Sequence, residues 1–236
     1  MRRLRVVSWN VGRLYTPTSN NRLDDADVPQ VARTLDELDP EVVLLQELTG
    51  ERQLTLLLDA LPGHDGALAT LCRYDRHTAV LARRALAPEF EQHLLAETGR
   101  GLVMATFSIG EARGCASSLH FDVFDKWRRR SQAEELARLV GERQAPLMVV
   151  GGDLNLDPEL AARLADPIDT GTYSLLRDRF CERGREPTLL GLLRVDHLFA
   201  RGARMKELWT RVSPGRRLPM GDHDPLVGDL ELSRID

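Results

Sequence analysis

Residues 147–155 read Leu-Met-Val-Val-Gly-Gly-Asp-Leu-Asn. Leu147 to Val150 is a short aliphatic run of the length and composition of a buried strand. The paired glycines that follow, Gly151 and Gly152, permit a tight turn or the close approach of a ligand. Alternation then sends Asp153 and Asn155 to the same side of the chain. The segment is therefore a strand that delivers two polar side chains at its end, either to a site or to an Asx turn that organises the loop.

The same design recurs on both sides of it. Apolar runs of strand length occur at Leu4 to Ser8, Val42 to Gln46, Thr78 to Ala82, Leu102 to Phe107, Cys115 to Leu119, Val195 to Phe199 and Leu226 to Leu230. Helix-period segments lie between several of them, at Pro29 to Leu38, Leu54 to Leu61 and Ser131 to Arg143. Strands interleaved with helices imply an α/β layered domain. Asn10, Glu47 and His120 each stand just past the end of an apolar run, as Asp153 does. Rigid strand ends can aim such groups into one cleft. Read singly, an Asn at the position of Asn10 is more often a turn former that bonds its own backbone, and Glu47, a slightly stronger signal, also reads as an exit to solvent.

Asp196 poses a sharper question, because it lies inside the apolar stretch Val195 to Phe199. A buried carboxylate costs several kcal/mol unless it is paired, so Asp196 needs a partner. Gly221-Asp222-His223-Asp224-Pro225, where an acid, an imidazole and a rigid proline crowd a loop before the final strand, is a candidate place for that partner, although it also reads as an ordinary Asp/Pro turn. His197 alternates away from Asp196 and is expected to pack or to face another layer.

Composition bounds the rest. The 236 residues are 42% hydrophobic and 29% charged, as in ordinary globular proteins, and one domain over residues 1–236 is expected. No apolar run approaches the roughly 18 residues of a membrane span. The N-terminus shows no secretion signal, so a soluble, cytoplasmic protein is expected; a monomer is the expected state. Cys72, Cys115 and Cys181 form neither a disulfide framework nor a zinc spacing. A net charge of −4 excludes a sequence-wide nucleic-acid footprint. Any polyanion contact must be local, at Lys126 to Arg130 or among Arg201, Arg204, Lys206, Arg211, Arg216 and Arg217, unless these are solvated faces.

Taken in order, Ser8-Trp9-Asn10, Leu45-Gln46-Glu47, Ser118-Leu119-His120, Gly152-Asp153-Leu154-Asn155, Val195-Asp196-His197 and Gly221-Asp222-His223-Asp224-Pro225 resemble the motif set of the endonuclease/exonuclease/phosphatase superfamily, the deoxyribonuclease-I-like fold. Thr78 to Arg83 and the Arg129-x-x-Gln132-x-x-x-Leu136 pattern agree with it. The resemblance implies a four-layer α/β sandwich, with two packed, mainly antiparallel sheets flanked by helices and the site at one mouth.

It also implies an enzyme, a Mg²⁺-dependent phosphoester hydrolase with Mn²⁺ as a substitute. Glu47 would be the main metal ligand, supported by Asn10 and Asp222. Asp153 would position or deprotonate the attacking water, Asn155 and His120 would bind the phosphate, and Asp196 would orient His223. Thr49 replaces the lysine of the abasic-site branch, and the strand ending in His120 is closer to the group of tyrosyl-DNA phosphodiesterases, sphingomyelinases and deadenylases. Gly221 replaces the usual serine. The expected substrate is a phosphodiester, including nucleic-acid ends. A phosphomonoesterase, or a non-catalytic binding module on the same fold, is the alternative.

Overall fold

Each of the eight apolar runs forms a strand in the computed structural model, which describes residues 2–12, 22–71, 76–95, 98–143, 145–182, 186–211 and 223–232. The elements are β1 (Arg2–Asn10), α1 (Val28–Leu38), β2 (Val42–Leu48), α2 (Glu51–Ala60), β3 (His64–Leu68), β4 (His77–Arg83), β5 (Glu89–Leu95), β6 (Arg100–Ile109), β7 (Ala112–His120), α3 (Lys126–Gly141), β8 (Leu147–Asp153), α4 (Pro158–Arg163), α5 (Pro167–Arg177), β9 (Asp196–Arg201), β10 (Arg204–Thr210) and β11 (Leu226–Leu232).

They build two sheets, one ordered β10-β11-β1-β2-β4-β3 and the other β5-β6-β7-β8-β9. Each is antiparallel except for one central parallel pair, β1 with β2 and β7 with β8. Parallel neighbours need a crossover connection. Here α1 links the first pair and α3 the second.

Apolar residues on both faces of the central strands produce the layers. In β1, Leu4 and Val6 point between the sheets, where they join Leu44, Val80, Phe107, Val149 and Leu198. Val7 and Trp9 point the other way, under Val31, Leu35 and Leu57 of α1 and α2. On the outer face of the second sheet, Met104, Met148 and Val150 meet Leu136 and Val140 of α3. The order helix, sheet, sheet, helix is the expected four-layer sandwich. No helix among the described residues is long and apolar enough to cross a membrane.

Three strands and two helices have no counterpart in the sequence reading. β3, β5 and β10 are all edge strands, and β5 and β10 are polar and partly exposed, so neither supplies an apolar run. The short helices α4 and α5 carry their signal in Asp157-Pro158 and Asp166-Pro167, where the aspartate caps the helix and proline occupies its first turn.

Candidate active site

The central strands end at one mouth of the sandwich, and their last residues converge there. His120, Asp153 and Asp196 are direct register partners across β7, β8 and β9, so they form one row of side chains. Asn10 and Glu47 come from the other sheet, and His223 from the segment before β11. Asn10, Glu47, His120, Asp153, Asn155 and His223 line one cleft of about 790 Å³. The sequence reading expected these residues to meet, and they do. Asp222, expected as a metal ligand, lies outside the described residues, as do Gly221, Cys72, Arg216 and Arg217.

Glu47 reaches the cleft through an irregularity. The β2–β4 pairing shifts register between Leu45 and Leu48, and Glu47 has φ 67°, a region non-glycine residues seldom occupy. Its carboxylate packs so closely on Gly12 that any side chain at that position would overlap it. Behind it, Gln46 donates to Ser118 Oγ at 3.0 Å, and Ser118 donates to Leu45 O at 2.8 Å, which ties the two sheets together beside the site. Arg76 forms an ion pair with the Glu47 carboxylate, so the site already accommodates a cation. The carboxylate oxygens of Glu47 and Asp153 are the donor type that a hard divalent cation takes, and the residues fit such an ion.

Asp153 is almost wholly buried. Its Oδ1 accepts from the Asn155 N–H at 2.8 Å and its Oδ2 from Asn10 Nδ2 at 2.9 Å. Burial pushes its carboxyl up to about 7, with the Asp196 charge adding to the rise, while His223 and the two hydrogen bonds oppose it. His120 Nε2 lies 3.7 Å from Glu47 Oε1 and 3.9 Å from Asp153 Oδ2. Burial, helped by the positive charges of Arg100, His223 and Arg76, holds this imidazole well below its usual value, so it is neutral at pH 7. Neither of its ring nitrogens has a hydrogen-bond partner among the described residues.

Asp196 finds the partner it needs: its Oδ2 lies 2.7 Å from His223 Nδ1, which leaves Nε2 facing Asp153 at 3.7 Å. Trp9 Nε1 donates to His223 O at 3.2 Å, and Thr188 Oγ1 accepts from the Asp196 N–H at 3.0 Å. Asp153, Asp196 and His223 bring one ligand atom each within 4.8 Å of one another, a possible acidic metal site. Asn155 adopts φ 49° and donates from its amide to Phe121 O at 3.1 Å. His197 is buried against Glu182 and Leu156 O, away from the cleft, as alternation required.

Arg76, Arg100 and Phe124, which the sequence did not single out, also line the cleft, as do Arg128 of the basic run and Asp122 and Asp125. Arg76 and Arg100 are isolated charged residues before or at the start of strands and carry no motif. The basic run Lys126 to Arg130 is not a free cationic patch, because Lys126 pairs with Asp166, Arg129 with Asp169, Arg130 with Glu134, and Arg128 approaches Asp122 and Asp125.

Residues 7–219 match the model of the Endonuclease/Exonuclease/phosphatase family. The chain belongs to that family. Solved structures agree with the membership. An endonuclease/exonuclease/phosphatase from Bacteroides vulgatus superposes with TM-score 0.77 at 20% identity, covering 99% of this chain and 100% of that one. Mannosyl-6-phosphatase Bt3783 of Bacteroides thetaiotaomicron gives 0.69 at 18%, covering 96% and 99%. Truncated TDP2 from Caenorhabditis elegans gives 0.71 at 17%, covering 97% of each chain. At these identities the likeness carries the fold, not the substrate. No curated protein matches the sequence. The family takes its name from enzymes that cleave phosphoester bonds, and its enzymes are typically dependent on a divalent metal.

Proposed function

We propose that this chain is a Mg²⁺-dependent phosphoester hydrolase, acting first on phosphodiesters, with water as the nucleophile. The observation that carries the reading is the convergence on one cleft of Asn10, Glu47, His120, Asp153 and His223, the last held by Asp196. Glu47, with Asn10 and Asp222, would hold the Mg²⁺, which when bound neutralises charge on the phosphoryl group. Asp153, with a carboxyl raised to about 7, is matched to accepting the proton of the attacking water at neutral pH. His120 and Asn155 donate to phosphoryl oxygens, and each such donor contributes about 3 kcal/mol when aimed at developing charge. His223, fixed by Asp196, contacts the phosphate from the other side.

Retention of every acid and histidine of the set favours an enzyme over a non-catalytic module. The reading includes one catalytic domain over residues 1–236, acting as a monomer. A cytoplasmic location is favoured by the unpaired Cys115 and Cys181. The phosphomonoesterase alternative draws support from Arg100 in the cleft lining, since a monoester brings a second negative charge. Turnover of bis(p-nitrophenyl) phosphate and p-nitrophenyl phosphate, each with Mg²⁺, Mn²⁺ and EDTA, tests the reading. Metal-dependent cleavage of the diester is expected. Preference for the monoester would move the assignment to a phosphatase, and no turnover of either would overturn it.

A further inference from the structure

Phe124 lines the same cleft as Asp153 and His223, yet it is 95% exposed. Val123 beside it is 45% exposed and also lines the cleft. Leu189 contributes from another loop, with Leu190 and Leu192 exposed next to it in the chain. Scattered exposed apolar residues are ordinary on a protein surface, but here they gather at the rim of a charged cleft.

The loop that carries Phe124 is held rigidly. Asp122 Oδ1 accepts from the Phe124 N–H at 3.0 Å and from the Asp125 N–H at 2.9 Å. Gln132 Oε1 accepts from the Asp122 N–H at 2.9 Å. The buried Arg129, itself paired with Asp169, donates to both Asp122 O and Val123 O at 3.1 Å. Asp125 then caps the N-terminus of α3. Arg129 and Gln132 are thus spent on fixing a backbone whose outermost side chain is a bare phenyl ring. A ring presented on a fixed backbone loses little entropy when a flat partner settles on it.

We propose that Phe124 is a specificity-determining residue that stacks on a planar aromatic ring carried by the ester group of the substrate, while the phosphoryl group sits deeper in the cleft, among Asn10, His120, Asp153 and His223. The inference rests on the phosphoester reading for the identity of the charged end. The shared chemistry is an aromatic ring borne by the ester group of a phosphate, directly in an aryl ester or through the sugar in a nucleotide.

The test is calorimetric titration of the full chain in Mg²⁺ with phenylphosphonate and methylphosphonate, whose C–P bonds resist hydrolysis. Wild-type protein is expected to bind the phenyl compound about tenfold more tightly, the size of one stacking contact. Phe124→Ala should erase that preference and Phe124→Trp should keep it. Because the ring is exposed, its removal leaves the core intact. A methylenephosphonate analogue of adenosine 5′-monophosphate separates the two sources: tighter binding than phenylphosphonate points to a nucleobase, weaker binding to an aryl ester, and both should depend on Phe124. Equal affinity for the phenyl and methyl compounds, absence of binding, or a preference that survives Phe124→Ala overturns the inference. Turnover of bis(p-nitrophenyl) phosphate by the wild-type chain tests the hydrolase reading separately, so either can fail without the other.

Discussion

The amide nitrogen of Asn10 lies 2.9 Å from Asp153 Oδ2, a hydrogen bond that joins the last residue of β1 to the last residue of β8 and so crosses from one sheet to the other. The Asn10 carbonyl oxygen accepts from the Gly12 N–H at 3.0 Å, which fixes the amide. Both residues terminate the parallel pair of their own sheet, so the bond sets the two halves of the site against each other. Asn10→Ala should leave the buried Asp153 with one donor fewer, costing about 1–3 kcal/mol of stability by urea denaturation. Turnover should fall more steeply than stability, by roughly tenfold or more, because the carboxylate proposed to position the attacking water loses its alignment. Unchanged kcat in a folded variant would show that the alignment does not depend on this bond.

Gly152 has φ 148°, and a methyl group there would run into the carbonyl of Leu119 on the neighbouring strand. Backbone strain alone at such a position costs about 1–3 kcal/mol, and a clash with a backbone atom cannot be relieved by a rotamer. Gly152→Ala is therefore expected to be among the most damaging single substitutions in the chain. A denaturation midpoint equal to wild type would contradict the close approach of β7 and β8.

Asp196→Asn keeps the shape of the side chain but removes the charge that faces His223 Nδ1. Loss of a donor aimed at developing phosphate charge typically costs about 10²–10³-fold in rate. We expect kcat to fall within that range, with circular dichroism unchanged. A wild-type rate would remove His223 from the reaction.

Behind the active row, His197 and Glu182 form a buried pair at 2.9 Å, joined by Tyr173 and Arg194. Burial alone would lower His197, but the charge and hydrogen bond of Glu182 outweigh it and raise the imidazole above 6.5. Burial likewise works to raise Glu182, and its partners, His197 first, hold it below 4.5. The raised histidine contributes stability below 6.5 that is lost as pH climbs through its folded value; the depressed glutamate contributes stability above 4.5 that is lost as pH falls through its own. The pair therefore contributes most between those limits. Glu182→Gln should lose about 3–5 kcal/mol there, measured as unfolding free energy against pH, with a smaller loss outside the window. A pH-independent difference would mean that the pair does not titrate with folding.

The central strands and the acid–histidine set were legible because their signals are local: an apolar run marks a buried strand, and a polar residue at its end marks the mouth. Asp196 was the strongest single clue, since a carboxylate inside an apolar strand has to be paired, and His223 is its partner. The edge strands β3, β5 and β10 left no comparable mark, because a strand with one open side can be polar. Glu47 was visible as an acid at a strand end, but the bulge that aims it was not, since pairing register belongs to two strands at once. Arg76, Arg100 and Phe124 reach the cleft through tertiary placement alone. Arg129 and Gln132 matched a sequence pattern, but their work in fixing the Phe124 loop emerges only from what they touch.

The central claim is that metal-assisted hydrolysis of a phosphoester occurs at this cleft, and the most direct measurement is the rate of bis(p-nitrophenyl) phosphate cleavage by the wild-type, Glu47→Gln and Asp153→Asn proteins, with Mg²⁺ and with EDTA. Wild-type turnover should be abolished by EDTA and restored by excess Mg²⁺, and each folded variant should lose at least about 10²-fold. Turnover that persists in EDTA, or that either variant retains in full, would contradict that claim.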